Sequence, residues 1–321
     1  KSIFEGIDTS WNRVKGGRAV GELLNKVIDN FDFKNPSASI FDLVKVYSMI
    51  QTLEENHWKA IKSEELKNCI AACAGLYLEA VASSQEITTG SNLKLKLEAI
   101  NRSSVGMQLV SLTTLPDSKT FPQNKVLTTN GSNKIQLDLQ IPSETEYTQP
   151  YWLKETGTTG MYIVKDQKNI GIPDVIRETK VVFNIRIDEI EIPFERTIVY
   201  KYNDDVKGEM YNYLDVVPDV TTSIIDKVSL FRDTKMKYTA VKIKAGKDNV
   251  KGNLQLELPK SWKVLPTSIP FELEKKGSEQ TFYFEVTPPN SPEETVVKSV
   301  AIVNGKRFDQ EQIIIDFNHI T

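Results

Sequence analysis

Histidine and cysteine are scarce in this sequence, because its 321 residues include only two of each. His57 lies at the end of a helical pattern and His319 lies near the last residue, so the two are far apart along the chain. A catalytic zinc ion usually needs three protein ligands, and neither histidine has clustered carboxylates beside it. We therefore expect both histidines to be structural or surface residues, and we expect no cofactor in this chain.

Motifs of the common enzyme classes are also missing. The sequence contains no HExxH, no GxSxG, no phosphate-binding GxxxxGK and no GxGxxG. Acidic pairs such as Asp204-Asp205 do occur, but adjacent residues of a strand or helix point apart, which favours solvated surfaces over joint action on one substrate bond. We predict no catalytic residues and no metal ligands in this chain.

The sequence has neither a basic stripe nor a long apolar run. Its formal net charge is -3, and Lys94, Lys96 and Glu98 interleave along one segment, so nucleic acid is not an expected partner. Ile313–Ile315 is typical of its longest apolar stretches, which are far shorter than the roughly 20 residues needed to cross a bilayer. No membrane span is predicted.

The first 85 residues show helical spacing of their apolar side chains. Apolar residues recur every three to four positions in three stretches, which predicts three amphipathic helices. Ser63 is predicted to cap the third helix, and Ala80 is predicted to lie on its buried side. Cys69 and Cys73 are expected to be a pair of buried thiols on this helix, with a disulfide or a metal pair as the alternative.

At Ser83-Ser84 the apolar period changes from 3.6 to two, which is typical of strands with one buried face. Leu93–Ala99 alternates in this way, and Lys180–Ile187 with Ile190–Tyr202 resembles a long hairpin. After residue 217, short strands at regular intervals are typical of an immunoglobulin-like sandwich. We predict an α+β multidomain protein, with a helical segment at 1–85 and two all-β immunoglobulin-like sandwiches at 86–217 and 218–321.

Aromatic residues are dense around positions 147–162. Sugar rings stack on exposed Trp and Tyr faces, so these residues are the candidate ligand-binding residues of the chain. They are Tyr147, Tyr151, Trp152 and Tyr162. The alternative is that Tyr151 and Trp152 pack beneath a loop or at the junction between domains.

Three segments resemble a known protein family. Phe4–Arg13, Asn30–Ser37 and Gln149–Glu155 resemble the region that follows the catalytic domain in large Bacteroidetes-type PIG-L/LmbE-like deacetylases. The resemblance implies a zinc-dependent de-N-acetylase acting on N-acetylglucosamine-type groups, with its metal ligands in a separate α/β domain. Asp204-Asp205 lacks the Pro-His that precedes the acidic pair of that motif. Zinc is therefore expected in the catalytic domain and not in this chain.

A second resemblance concerns the last part of the chain. Leu254–Val264, Pro270–Leu273 and Phe282–Pro288 resemble the immunoglobulin-like (NEW-type) domain found beside carbohydrate-binding modules in α-galactosidases. Such domains join or brace catalytic modules in secreted carbohydrate-active proteins. The resemblance therefore implies a periplasmic or extracellular location.

These patterns favour a non-catalytic accessory region of a carbohydrate-active protein. The helices are expected to dock on the protein's own upstream catalytic domain, while the sandwiches act as a spacer, a homodimer surface or a wall beside the substrate. Because the first residue is Lys1 and no leader follows it, we expect an excised piece or a processed product. The alternatives are a glycan-binding module centred on Trp152 and a self-contained enzyme.

Overall fold

A computed structural model describes residues 3–54, 56–315 and 317. It confirms the predicted fold class, with a short helical part followed by sheets that form immunoglobulin-like sandwiches. The chain divides into two compact units, each built from segments that are separate in sequence. The first unit contains Lys1–Gln85, Leu93–Gln140 and Ile176–Leu214, and the second contains Glu86–Asn92, Ile141–Val175 and Asp215–Thr321.

The helical part of the first unit contains α1 (Arg18–Asp29), α2 (Ile40–Gln51) and α3 (Asn56–Ala74). A short 3-10 turn, Trp11–Arg13, precedes α1, and a second one, Pro36–Ser39, leads into α2. The most deeply buried helical face is that of α2, whose apolar residues follow the predicted spacing. They are Ile40, Leu43, Val44, Val46, Tyr47 and Ile50.

The predicted extension of the third helix to Ala80 is wrong, because α3 ends at Ala74. Gly75 has a φ of 55°, and its N–H donates to the carbonyl of Ala72. The N–H of Leu76 donates to the carbonyl of Ala71. These two bonds form a Schellman C-cap, which turns the chain out of the helix and into the first strand.

The predictions for Ser63 and the two cysteines are also wrong. Because α3 begins at Asn56, Ser63 lies inside the helix, where it is buried and its hydroxyl accepts a hydrogen bond from the Gln51 side chain at 2.8 Å. Both cysteines are free thiols, and Cys69 is exposed while Cys73 is half-buried. The buried side of α3 is formed by residues such as Leu66 and Ile70, and Cys69 falls outside that stripe.

Ten strands lie between residues 77 and 213. They are β1 (Tyr77–Ala82), β2 (Glu86–Thr88), β3 (Asn92–Ile100), β4 (Met107–Leu115), β5 (Lys119–Val126), β6 (Asn133–Gln140), β7 (Lys180–Ile187), β8 (Ile190–Thr197), β9 (Val199–Asp204) and β10 (Gly208–Tyr213). The first unit contains two sheets, with strand orders β10-β9-β1-β3-β6 and β5-β4-β7-β8. Fully buried side chains from both sheets, such as Leu95, Leu97, Leu109 and Phe183, form its core.

The predicted strand Ile190–Tyr202 is in fact two strands, because the chain changes sheets at Ile198. Strand β8 pairs with β7 as predicted, whereas β9 runs parallel to β1 in the other sheet and antiparallel to β10. Ile198 is buried between them, and its N–H donates to the carbonyl of Thr179 at 3.2 Å. Alternation of side chains continues through this crossing, so the period in the sequence does not reveal it.

Helix α3 is attached to the sheet that contains β8 by a buried charged side chain. The Lys67 ammonium donates to the carbonyl of Pro193 in β8 at 2.9 Å and forms an ion pair with Glu64. A buried lysine that is both hydrogen-bonded and paired fixes the position of its helix, because losing either partner would leave a charge without solvation. The helical part and the first sandwich therefore belong to one unit.

The second unit is built from short strands. They are β11 (Asp215–Val217), β12 (Val220–Ile224), β13 (Lys237–Ala245), β14 (Val250–Glu257), β15 (Lys263–Leu265), β16 (Ile269–Leu273), β17 (Glu279–Thr287), β18 (Lys298–Val303) and β19 (Lys306–Phe308). Strand β11 pairs with β2, and the others form two four-stranded sheets, β12-β13-β17-β15 and β16-β14-β18-β19. Val220, Ile243, Leu254 and Phe284 lie at the centre of this core, and Trp262 packs against it.

The division into domains at 1–85, 86–217 and 218–321 stays a prediction, and it differs from the two units in several respects. Residues 1–85 share a unit with the first sandwich, and residues 141–175 and 215–217 belong to the second unit. Strand β1 continues directly from α3, and residues 86–92 belong to the second unit. Among the described residues, no helix is both long enough and apolar enough to cross a membrane.

We expect Gly75→Ala to destabilise the first unit by about 1–2 kcal/mol, because an L-residue with a side chain is strained in the left-handed region. An added Cβ would also lie 3.0 Å from the Cβ of Arg102. The three α-helices belong to this unit, so the helical circular dichroism signal during urea unfolding measures the change. Gly106→Ala is the matched control, since nothing lies within 4 Å of its added Cβ. An equal effect of both substitutions would contradict the assigned C-cap.

Candidate functional site

The predicted ligand-binding residues lie on a long connection, residues 141–175 of the second unit. This connection contains two 3-10 turns, Tyr151–Leu153 and Gln167–Asn169, and a short bridge between Thr158 and Met161. The Lys165 ammonium pairs with Glu155 at 2.5 Å, which ties two parts of the connection together. Such a connection is longer than most loops within compact domains, and long ordered loops are often functional.

The structure brings two of the four predicted residues together. The rings of Tyr151 and Trp152 meet edge to face, with centroids 4.9 Å apart at 89°. Both rings are half-buried, and the Tyr151 hydroxyl donates to the carbonyl of Ile172 at 3.3 Å. Among the described residues, no ring contact joins Tyr147 or Tyr162 to this pair. The pair thus lies partly beneath its own loop, while Tyr162 is 67% exposed.

Tyr147 lies where the connection meets β11. Its neighbour Thr148 exchanges hydrogen bonds with Val216, with a backbone bond of 2.9 Å and a bond from the Val216 N–H to the threonine hydroxyl of 2.9 Å. Burial raises the pKa of the Tyr147 phenol, and the charge of Asp219 raises it further. Tyr147 is half-buried and so presents less ring surface to a ligand than Tyr162 does.

A tyrosine-rich sheet face in the first unit was not predicted from the sequence. In the register of β9 and β10, Tyr211 faces Lys201 and Tyr213 faces Val199, so these side chains share one face of the sheet. We call this surface the tyrosine face. It consists of Tyr77 and Glu79 on β1, Lys201 on β9, and Glu209, Tyr211 and Tyr213 on β10.

Lys201 is the centre of the tyrosine face. Its ammonium lies 3.3 Å from a carboxylate oxygen of Glu79 and 2.9 Å from one of Glu209. The same ammonium lies 5.2 Å from the centre of the Tyr211 ring, and the Tyr211 hydroxyl donates to Glu209. Residues that are far apart in sequence are therefore held in one network, which fixes the direction of their side chains.

Two arginines hold the outer rings of this face. The Arg102 guanidinium lies 5.3 Å from the centre of the Tyr77 ring, and that of Arg177 lies 4.5 Å from the centre of the Tyr213 ring. Both distances are within the range of a cation–π interaction. Tyr211 and Tyr213 nevertheless remain 47% and 46% exposed. Ring surface that is ordered but open to solvent is available to a ligand.

The network also determines the protonation states of its members. Burial raises the pKa of Tyr77 to about 12, and a hydrogen bond with Glu79 contributes to the rise. A hydrogen bond to Glu209 raises the pKa of Lys201, and a hydrogen bond from Tyr211 lowers the pKa of Glu209. Near neutral pH, Lys201 is therefore charged, Glu209 is ionised and Tyr77 is a neutral hydrogen-bonding group.

The sequence contains one signal for this face, which is the repeated Tyr-x-Tyr of Tyr200-x-Tyr202 and Tyr211-x-Tyr213. Alternation places both members of each pair on the same side of a strand. The two pairs nevertheless lie on opposite faces, since Tyr200 faces Asn212 and Met210 faces Tyr202 in the register. Only the strand pairing reveals which of them joins Lys201.

Three exposed apolar side chains lie on or beside the connection between α1 and α2. We call this surface the helical corner, and it consists of Ile28, Phe33 and Phe41, which are 69%, 88% and 54% exposed. The Phe33 ring meets the Phe31 ring edge to face at 5.0 Å. An ion pair between Lys26 and Asp42, with 3.2 Å between nitrogen and oxygen, links the two helices beside it. Exposed apolar side chains with charged neighbours are typical of interaction sites.

Metal-ligating side chains are dispersed in the part of the chain that the structure describes, and no three of His, Cys, Asp or Glu are grouped there. The His57 ring packs edge to face on Trp58 at 5.0 Å, and the Arg13 guanidinium lies 4.6 Å from the centre of the Trp58 ring. His57 thus belongs to the contact between α3 and the turn before α1. His319 lies outside the described residues.

Comparison with known proteins gives no family and no curated relative, since neither a family model nor a curated protein matches. Among solved structures, a transglutaminase of red sea bream is similar over 81% of this chain and 34% of its own, with 9% identity and a TM-score of 0.30. An alpha-2-macroglobulin of Salmonella is similar over 72% of this chain and 15% of its own, with 12% identity and a TM-score of 0.23. The chain spans about a third or less of these proteins, and the similarities carry no information on function.

Titration of Tyr77 tests the geometry of the tyrosine face. The folded state keeps the Tyr77 proton up to a pH of about 12, whereas an unfolded tyrosine loses it at a pH of roughly 10. The contribution of the protonated Tyr77 to the free energy of unfolding is therefore present below a pH of roughly 10 and is lost as the pH rises through about 12. We expect the tyrosinate absorbance of the native protein minus that of Tyr77→Phe to rise with a midpoint of about 12. A midpoint at the ordinary value of tyrosine would contradict the burial of the Tyr77 hydroxyl and its hydrogen bond with Glu79.

Proposed function

We propose that this chain is a non-catalytic accessory region of a secreted carbohydrate-active protein of the de-N-acetylase type. In this proposal its helical part docks on the catalytic domain of the same protein and braces it. The two resemblances described for Phe4–Arg13 and Leu254–Val264 support the class of protein. The helical corner supports the mode of action, and it is the observation on which the proposal mainly depends.

The helical corner presents three large apolar side chains that are each more than half exposed, and a group of such side chains favours an interaction site. Covering a phenylalanine side chain that is otherwise in water stabilises an interface by roughly 1.5–3 kcal/mol. Phe33 is the most exposed of the three residues and lies on the connection between the helices, which leaves it accessible to a partner. Central aromatic side chains of this kind carry much of the binding energy in interfaces.

The residues before the first helix also include exposed apolar side chains. Ile3, Phe4 and Ile7 are all exposed, and the N–H of Ile7 donates to the carbonyl of Phe4 in a turn. Phe4–Arg13 is also the segment that resembles the region following a catalytic domain in the deacetylases. We therefore take that catalytic domain as the occupant, in preference to an unrelated protein or to a second copy of this chain.

Calorimetric titration of this chain with the separately expressed catalytic domain of the same gene product tests the proposal. We expect saturable binding, weakened at least about tenfold in a Phe33→Ser/Phe41→Ser variant, since two buried aromatic anchors would be lost. Because both side chains are exposed in this chain, its thermal unfolding should be unchanged.

Val228→Ser/Leu230→Ser is the matched control, because these residues are equally apolar and are exposed in the second unit. This control variant should bind like the native chain. Absence of binding, or binding that the Phe33→Ser/Phe41→Ser variant leaves intact, would contradict docking through the helical corner. A gene product without a catalytic domain would contradict the proposal as a whole.

A carbohydrate-binding role of the connection 141–175 is the second candidate function. The exposure of Tyr162 and the fixed Tyr151–Trp152 pair favour it, because rigid aromatic rings can stack on sugars with little loss of side-chain entropy. The partial burial of Trp152 weighs against a large contact at that ring. This function therefore ranks below docking.

Binding to a glycan array tests this second function. If the connection binds sugars, Trp152→Ala and Tyr162→Ala should each abolish binding to an amino-sugar polymer, while Tyr47→Phe, a conservative change in the core of α2, should not. If both alanine variants still bind the polymer, the sugar binds at a site outside the connection 141–175.

A further inference from the structure

We propose that the tyrosine face binds a neutral glycan chain. This site differs from the helical corner and from the connection 141–175, so the inference does not rest on the proposed docking function. Three tyrosine rings, those of Tyr77, Tyr211 and Tyr213, lie on one side of an open sheet. Tyrosine supplies both a flat apolar ring and a hydroxyl, which is the combination that suits the faces and edges of sugar rings.

Fixed polar groups lie between these rings. The Lys201 ammonium pairs with Glu79 at 3.3 Å and with Glu209 at 2.9 Å, so a donor and several acceptor atoms have a set direction before any ligand binds. Sugar hydroxyls can donate and accept, and pre-organised polar groups bind them without a cost for ordering side chains. A ligand made only of apolar groups would remove water from these charged groups without supplying hydrogen bonds in its place.

The charges of this face favour a neutral ligand. The strands β10, β9, β1 and β3 carry three lysines and three glutamates on the side of the tyrosine face, so their formal charges balance. They are Lys94, Lys96, Lys201, Glu79, Glu98 and Glu209. Arg102 and Arg177 at the rim add two positive charges, and both guanidinium groups are directed over tyrosine rings. A polyanion such as a nucleic acid would meet the glutamates as well as the lysines.

The extent of the face favours a chain of sugars over a single sugar. Tyr211 and Tyr213 are two residues apart on β10, which separates their Cα atoms by roughly 7 Å. Tyr77 lies two strands away from β10, roughly 10 Å across the sheet, and it is offset along the strands by four residues from the level of Tyr213, or roughly 13 Å. The face is open, so a long ligand can run over it without threading into a pocket. The exposed sides of Tyr211 and Tyr213 would contact neighbouring sugar units.

Calorimetric titration of the full chain with chitohexaose and with cellohexaose tests the inference. We expect saturable binding to at least one of them, weakened by about tenfold or more in Tyr211→Ala/Tyr213→Ala. Tyr211→Phe/Tyr213→Phe should keep most of the affinity, because the rings remain. The phenylalanine variant also keeps the inference testable if the alanine variant unfolds.

The matched control is Tyr238→Ala/Tyr283→Ala, which removes two exposed tyrosines from the sheet β12-β13-β17-β15 of the second unit. This control and Trp152→Ala should both bind like the native chain. No binding to either oligosaccharide, equal loss in the control, or loss only in Trp152→Ala would each overturn the inference. Tighter binding to heparin or to a proline-rich peptide at the same residues would also overturn it.

Discussion

The position of β1 in the middle of its sheet is the constraint on which the rest of the first unit depends. It pairs antiparallel with β3 along its whole length and parallel with β9 at Val81 and Ala82. The second pairing brings Lys201 to Glu79, residues that are 122 positions apart in sequence. Without it, the tyrosines of β10 would have no fixed relation to Tyr77. The Gly75 turn matters for the same reason, because it delivers the chain from α3 directly into β1.

The sequence predicts much of this fold because its apolar periods are clear. Strand β3 alternates without interruption between Leu93 and Ala99, and the alternate residues are all buried. The predicted end of α3 is wrong for a physical reason, since Leu76 and Ala80 are four residues apart and fit both a helical face and a strand face. The decisive signal is Gly75, whose left-handed conformation ends the helix. A glycine followed by alternating apolar and polar residues is the pattern that indicates a change from helix to strand here.

The candidate sites were predicted less completely, because they depend on pairing between distant segments. Tyr151 and Trp152 are neighbours in sequence, and their contact could be expected. The tyrosine face needs the register of β9 against β10 and of β1 against β3, which no local pattern contains. The exposure of Cys69 was also missed, because a thiol packs equally well at the edge of a helical stripe and within it.

If the helical part docks on a catalytic domain as proposed, the helical corner is covered in the whole protein. Amide hydrogen exchange measures this most directly, by comparing residues 30–39, the connection between α1 and α2, in this chain alone and in the complete gene product. We expect markedly slower exchange of these amides in the complete gene product, with unchanged exchange in β13 and β17 of the second unit. Equal exchange of residues 30–39 in both proteins would contradict the proposed docking.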